Sequence, residues 1–226
     1  SQSCQMIADK IQDNWNSINA SASNVSARYR SLKANLDASW ILLNEKQQLI
    51  YSRLGVFEGD FSIMAAQQIG KASADDLTKL VNLSLLRHDT QGRYLLHTVI
   101  RQYTREKLHE LGLFSEQQKN FIEFYIGYIS EKAQKIQSTI QKNALDDIQI
   151  ELRNLKQAWS WALDTGQYER MEVFLDPFYQ FFNIRSRYQE GLDIFQLAIQ
   201  RLKEFQKTDG NEKSEIFLGK LLARSG

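Results

Sequence analysis

Apolar residues recur at helical spacing along most of this chain, a single proline occurs in 226 residues, and one short stretch switches to strand period. Together these predict a mainly α fold, a winged-helix domain with a small β-hairpin followed by an α-solenoid of helical hairpins. Proline costs roughly 3 kcal/mol inside a helix, so a chain with only Pro177 is suited to long uninterrupted helices.

The elements follow in order. Residues 4–15 place Met6, Ile7, Ile11 and Trp15 at helical spacing, and residues 16–26, rich in Ser, Asn and Ala, read as a linker. Leu32, Leu36 and Trp40 make one apolar stripe, with Leu43 after it. Asn44 is suited to cap the next helix, with Gln47 at its N3 position. Leu49, Ile50 and Leu54 supply that helix's apolar face, and Glu58-Gly59-Asp60 reads as a turn. Ser62 is expected to cap a short helix over residues 63–69 closed by Gly70, and Ser73 another that carries Leu77, Leu80, Val81 and Leu85 on one face. The period then changes. Leu85-Leu86-Arg87-His88 and Arg93-Tyr94-Leu95-Leu96 predict two strands around the turn Asp89-Thr90-Gln91-Gly92. Thr98 opens a helix that ends near Gly112.

Beyond Gly112 the strand signal vanishes. Phe121, Tyr125, Tyr128 and Ile129 form one stripe; Leu145, Ile148, Leu152, Leu155 and Trp159 form a second, ended by Gly166. Tyr168, Met171, Phe174, Phe178 and Phe182 form a third, with Pro177 as an expected kink. Tyr188, Leu192, Phe195, Ile199 and Leu202 form a fourth, and Ile216 begins a fifth. Paired amphipathic helices with short polar turns predict tetratricopeptide-like helical hairpins. Phe178, Arg185, Tyr188, Gly191, Phe195 and Ala198 follow that repeat loosely, with Ser186 where the repeat usually has glycine. The expected domains are residues 1–24 as the end of a preceding helical domain or a linker, 25–112 as the winged helix, and 113–226 as truncated repeats.

Composition narrows the function. Lys and Arg number 28 against 27 Asp and Glu, so no global charge draws the chain to nucleic acid or an anionic membrane. One cysteine, Cys4, cannot form an internal disulfide, and no run reaches the roughly 20 apolar residues of a membrane span. Ser1-Gln2-Ser3 lacks the parts of a signal peptide, so a cytoplasmic location is expected, and without a start methionine the chain reads as an excised fragment. Phosphate-loop, zinc-protease and nucleophile-elbow motifs are all missing, and His88, His97 and His109 are not at metal-ligand spacing. Asp75-Asp76 and Asp146-Asp147 read as solvated charges in the first turns of helices. No catalytic or metal site and no cofactor of its own are therefore expected.

Several stretches carry a resemblance. They are Asp37-Ala38-Ser39-Trp40-Ile41-Leu42-Leu43-Asn44, Leu54-Gly55-Val56-Phe57-Glu58-Gly59-Asp60-Phe61, Gly92-Arg93-Tyr94-Leu95-Leu96-His97, and Leu152-Arg153-Asn154-Leu155 through Trp159. In this order they resemble the winged helix and first helical repeats of the signal-transduction ATPases with numerous domains, the STAND proteins. The resemblance implies a parent whose nucleotide-binding domain precedes Ser1 and binds ADP or ATP with Mg. It implies that the winged helix controls the nucleotide switch and that the repeats bind a protein or small-molecule inducer. Leu96-His97-Thr98 aligns with the family's Met-His-Asp motif, whose histidine contacts the ADP phosphate. Thr98 stands where that motif has its acid. A helix start with free N–H groups and an imidazole donor suits a phosphate in any case.

Three readings result: a non-catalytic regulatory and sensor module of such an ATPase, a DNA-binding winged helix with a helical dimerisation arm, or a tetratricopeptide adaptor. The helix expected to read DNA starts with Asp75 and Asp76 and carries only Lys79 before Arg87, a poor footprint for phosphates, so DNA binding and membrane binding are not expected. On the repeats, one of each close aromatic pair should line the concave face. Trp161, Tyr179 and Phe181 are the candidates for partner binding.

Overall fold

A computed structural model describes residues 33–209 and 212–225. The expectations for residues 1–32 lie outside this range. Among the described residues the fold is mainly α, with one two-stranded antiparallel hairpin. Two compact units divide the chain between Leu49 and Ile50.

The first unit contains helix α1 (residues 33–41) and the start of α2 (Glu45–Leu54). Asn44 and Gln47 form the expected capping box, Gln47 N donating to Asn44 Oδ1 at 2.9 Å and Asn44 N to Gln47 Oε1 at 3.0 Å. Gln48 closes the preceding turn by donating from Nε2 to the carbonyls of Trp40 and Leu43.

The second unit opens with the rest of α2 and continues through α3 (Ile63–Gly70), α4 (Ala74–Asn82), β1 (Arg87–His88), β2 (Tyr94–Leu95) and α5 (Thr98–Glu110). Ser62 caps α3 by accepting from Ala65 N, and Ser73 with Asp76 forms a full capping box on α4. Asp76 is therefore buried in the cap, not solvated as its sequence position suggested. The hairpin pairs Arg87 with Leu95 and His88 with Tyr94, and Asp89 Oδ1 tightens its turn by accepting from the N–H groups of Gln91 and Arg93, both at 2.8 Å. A third rung, absent from the sequence reading, comes from Phe61. It exchanges both backbone bonds with Tyr94 at 2.9 Å, an antiparallel bridge that adds a one-residue strand to the hairpin. The order helix, one-residue strand, two helices, hairpin is that of a winged helix.

Five helices follow: α6 (Phe114–Ile136), α7 (Gln141–Asp164), α8 (Tyr168–Ile184), α9 (Tyr188–Asp209) and α10 (Glu212–Ser225). No strand interrupts them among the described residues. Helix α6 packs on α7 and α8, while α8 packs in turn on α7, α9 and α10, so α6, α8 and α10 form one layer with α7 and α9 behind it. Pro177 is buried inside α8, which runs through it without a break. Asp146 and Asp147 lie in the second turn of α7, not the first, and are bonded to Arg185 and Lys132 rather than only to water.

Three of the helix junctions, α5 to α6, α7 to α8 and α8 to α9, share one turn. Gly112, Gly166 and Ser186 adopt φ of 70°, 68° and 54°. In each case the next N–H reaches back to the last helical turn, from Leu113 to Leu108 O, Gln167 to Ala162 O and Arg187 to Phe182 O, at 2.8–3.1 Å. Two of the three positions carry glycine, which enters this left-handed region without a Cβ clash. Ser186 meets that clash, worth about 1 kcal/mol. Ser186→Gly is therefore expected to stabilise the chain by about that amount and Gly166→Ser to destabilise it similarly, both read as shifts of the urea midpoint.

Candidate functional site

The side chains with the densest polar bonding gather where the helical arm meets the turn Glu58-Gly59-Asp60. Their geometry begins with α7. Glu151 and Asn154 stand one turn apart on one face of that helix and are 4% and 1% exposed. Asn154 Oδ1 accepts from Glu58 N and Gly59 N, both at 3.0 Å, while its Nδ2 donates to Asp60 O at 2.8 Å and to Glu151 Oε2 at 2.9 Å. Both oxygen lone-pair sites and both amide hydrogens of Asn154 are thus used.

Glu151 is the hub. Its Oε1 takes Arg93 Nη2 at 2.6 Å, and its Oε2 takes the Tyr125 hydroxyl at 2.8 Å. Arg93, just before strand β2, also donates from Nε to Asp60 Oδ1 and from Nη2 to Asp60 O, each at 3.0 Å. Burial works against the Arg93 charge, but the carboxylates of Glu151 and Asp60 outweigh it and hold the guanidinium above its ordinary pKa. Burial, reinforced by the Glu151 charge, pushes the Tyr125 phenol well above its usual value, so Tyr125 stays a neutral donor. Helix α5 is tied to the same turn. Arg101 donates to Glu58 O at 2.7 Å and pairs with the Glu58 carboxylate at 3.0 Å, and Arg105 donates to Gly55 O at 3.2 Å.

An aromatic layer lies beside these bonds. Phe57 stacks on Phe61 at 4.1 Å and meets Phe121 edge-on at 5.7 Å, and Phe121 meets Trp161 at 5.1 Å. Arg105 covers Trp161 at 5.8 Å. Trp161, expected to line a partner surface, is 8% exposed and belongs to this layer. Phe181 is fully buried, against Phe182. Both corrections share a cause: α7 and α8 are packed on more than one side, so residues off the main apolar stripe are buried too. Trp159, two residues from Trp161, packs on the other side against Phe174, Phe178, Phe195 and Phe217. Only Tyr179 of the three candidates is exposed, at 43%, on the rim of a cavity of about 290 Å³ with Asn183, Tyr188 and Arg224.

His97 occupies the N-cap position of α5, immediately after the wing. Its side chain is exposed and makes no capping bond, while its carbonyl accepts from Arg101 N at 2.8 Å. The start of α5 therefore presents an imidazole beside first-turn N–H groups that the His97 side chain does not cap. Arg101, one turn on, links this end to the Glu58 turn. Among the described residues no group of His, Cys, Asp and Glu is placed to hold a metal, and no helix is long and apolar enough to cross a membrane.

Sequence reading singled out His97 but missed Glu151 and Asn154. The one available signal was a pair of polar residues, three apart, on a face continued by Ala158 and Trp161.

The chain is 26% identical over 199 residues, 84% of its length, to proteins provisionally named HTH-type transcriptional regulators in Mycobacterium tuberculosis and Mycobacterium bovis. It spans 22% of the length of each. No family model matches the chain, and no solved structure matches it significantly.

The buried hub gives a direct expectation. Glu151→Ala strips Arg93, Tyr125 and Asn154 of a shared acceptor and should cost about 3 kcal/mol or more. Asp60→Ala, which removes a half-exposed carboxylate and leaves Arg93 its bond to Glu151, should cost about 1 kcal/mol. Equilibrium urea unfolding of the two variants distinguishes them, and equal losses would contradict the assignment of Glu151 as the hub.

Proposed function

We propose that this chain is a non-catalytic regulatory and sensor module of a STAND-type signalling or transcriptional-regulator ATPase. In this reading the winged helix acts on a nucleotide switch and the tetratricopeptide-like arm binds an inducer or partner. The nucleotide-binding domain of the parent supplies ADP or ATP with Mg; this chain contributes His97. The observation that carries the reading is the placement of His97, exposed, uncapped and at the positive end of α5 directly after the wing. Similarity to proteins named as transcriptional regulators supports a regulatory role, and the far greater length of those relatives suits a module within a larger protein.

One observation favours a second reading, a DNA-binding winged helix. With Asp76 withdrawn into the α4 cap, the exposed charges there are Lys71, Asp75 and Lys79 and, on the hairpin, Arg87 and Asp89. Three cations against two acids is a slightly stronger footprint than the sequence implied, but a small one beside the roughly six to ten phosphate contacts of strong binders.

Three measurements test these readings. His97→Ala in the full-length parent should weaken ADP binding and raise basal activity; wild-type values for both would make His97 merely structural. Titration of this chain with duplex DNA at low salt should give only weak binding. Tight binding that falls steeply with salt would favour the second reading. Purified chain should also show no ATP turnover, since it offers no phosphate loop.

A further inference from the structure

We propose that the turn Glu58-Gly59-Asp60 is the relay through which the helical arm sets the position of the start of α5, and with it His97. The proposal rests on the reading of His97 for its biological meaning, but its physical content stands on the bonds of one residue. Glu58 is held in two directions. Its N–H points to Asn154 of the arm at 3.0 Å, and its carbonyl accepts from Arg101 of α5 at 2.7 Å. Its carboxylate pairs with Arg101 at 3.0 Å and with Arg105 at 3.5 Å.

The arm grips this turn closely. A Cβ on Gly59 would lie 3.1 Å from Arg153 Cβ, so the turn sits against the body of α7 and cannot slide independently of it. Asp60 is held twice from the same helix, through Asn154 Nδ2 and through Arg93 on Glu151. By contrast, α5 and α7 share little backbone proximity of their own, and the Arg105 guanidinium, 5.8 Å from the Trp161 ring centroid, touches α7 without a directional bond. A displacement of α7, such as one caused by a molecule bound on the arm, therefore reaches α5 through the turn. The peptide group that loses Asn154 on one side carries the acceptor for Arg101 on the other. The bonds on the two sides of Glu58 should then be thermodynamically coupled, each weakening the other when broken, and to the same degree.

Amide hydrogen exchange on the whole 226-residue chain tests this without nucleotide. Two variants suffice: Asn154→Ala on the arm side and Arg101→Met on the α5 side, the latter removing the guanidinium while keeping most of the apolar stem. Each should speed exchange about tenfold both at Glu58 and Gly59 and at residues 101 and 102, while Ala65 and Met171 exchange at the wild-type rate. The double variant should be no faster than the faster single variant, because one broken link already releases the other. The relay is overturned if Arg101→Met leaves the Glu58 and Gly59 amides unchanged, or if Asn154→Ala leaves residues 101 and 102 unchanged. Multiplying effects in the double variant, or equal acceleration at Ala65 and Met171, would overturn it too. Because ADP plays no part, failure of the His97→Ala test leaves this result standing, and the converse holds.

Discussion

The arrangement of the second unit depends on a buried amide and a buried carboxylate, Asn154 and Glu151, meeting a turn made far earlier in the chain. Apolar burial of Phe57, Phe61 and Phe121 is not directional, so by itself it specifies the joint between the hairpin region and the arm less sharply than hydrogen bonds do. The polar bonds supply that direction. A buried ion pair contributes little net stability over an apolar contact of equal size, whereas its directional bonds specify one arrangement. Here the pair is fully supported: Arg93 is shared with Asp60, and Glu151 is completed by Tyr125 and Asn154. Such networks are costly when half made and rigid when complete.

The arm is stitched differently. Between α8 and α10 the acids Glu169, Glu172 and Asp176 meet Lys213, Lys220 and Arg224 in order. Glu123 of α6 meets Arg170 of α8. These pairs are exposed and individually weak, so they guide the register of stacked helices more than they hold them. The holding is done by the rings around Trp159 and by close approach, as at Gly191, where a Cβ would lie 2.9 Å from Phe182 Cβ.

Local structure was legible in the sequence because its causes are local. Asn44, Ser62 and Ser73 cap helices through bonds spanning three residues, and the hairpin turn at Asp89 closes over four. The helices of the arm announced themselves through apolar spacing. Phe61 escaped because a one-residue strand has no period to read. Asn154 and Glu151 escaped because nothing in their own neighbourhood calls for them; their partners lie elsewhere in the chain. Trp161 and Phe181 were misplaced for a related reason. Helical spacing identifies a helix's strongest apolar face but not how many neighbours surround it. The exposed position of His97 follows from its place before Thr98, while its connection to the arm through Arg101 and Glu58 had no signature in the sequence.

The distance along the chain between the turn and its partner has a consequence for the order of folding. Glu58 and Asn154 are separated by 96 residues, whereas the caps, the hairpin and each helical pair close over short spans. A growing chain therefore completes the elements from α2 to α5 while the N–H groups of Glu58 and Gly59 still face water. Only when α7 has been synthesised and coiled does Asn154 arrive to take them. Long loops close late because their entropy must be lost before any contact rewards it. The joint therefore closes after the caps and the hairpin, and a ribosome paused before residue 154 would carry a winged helix whose turn is still unclaimed.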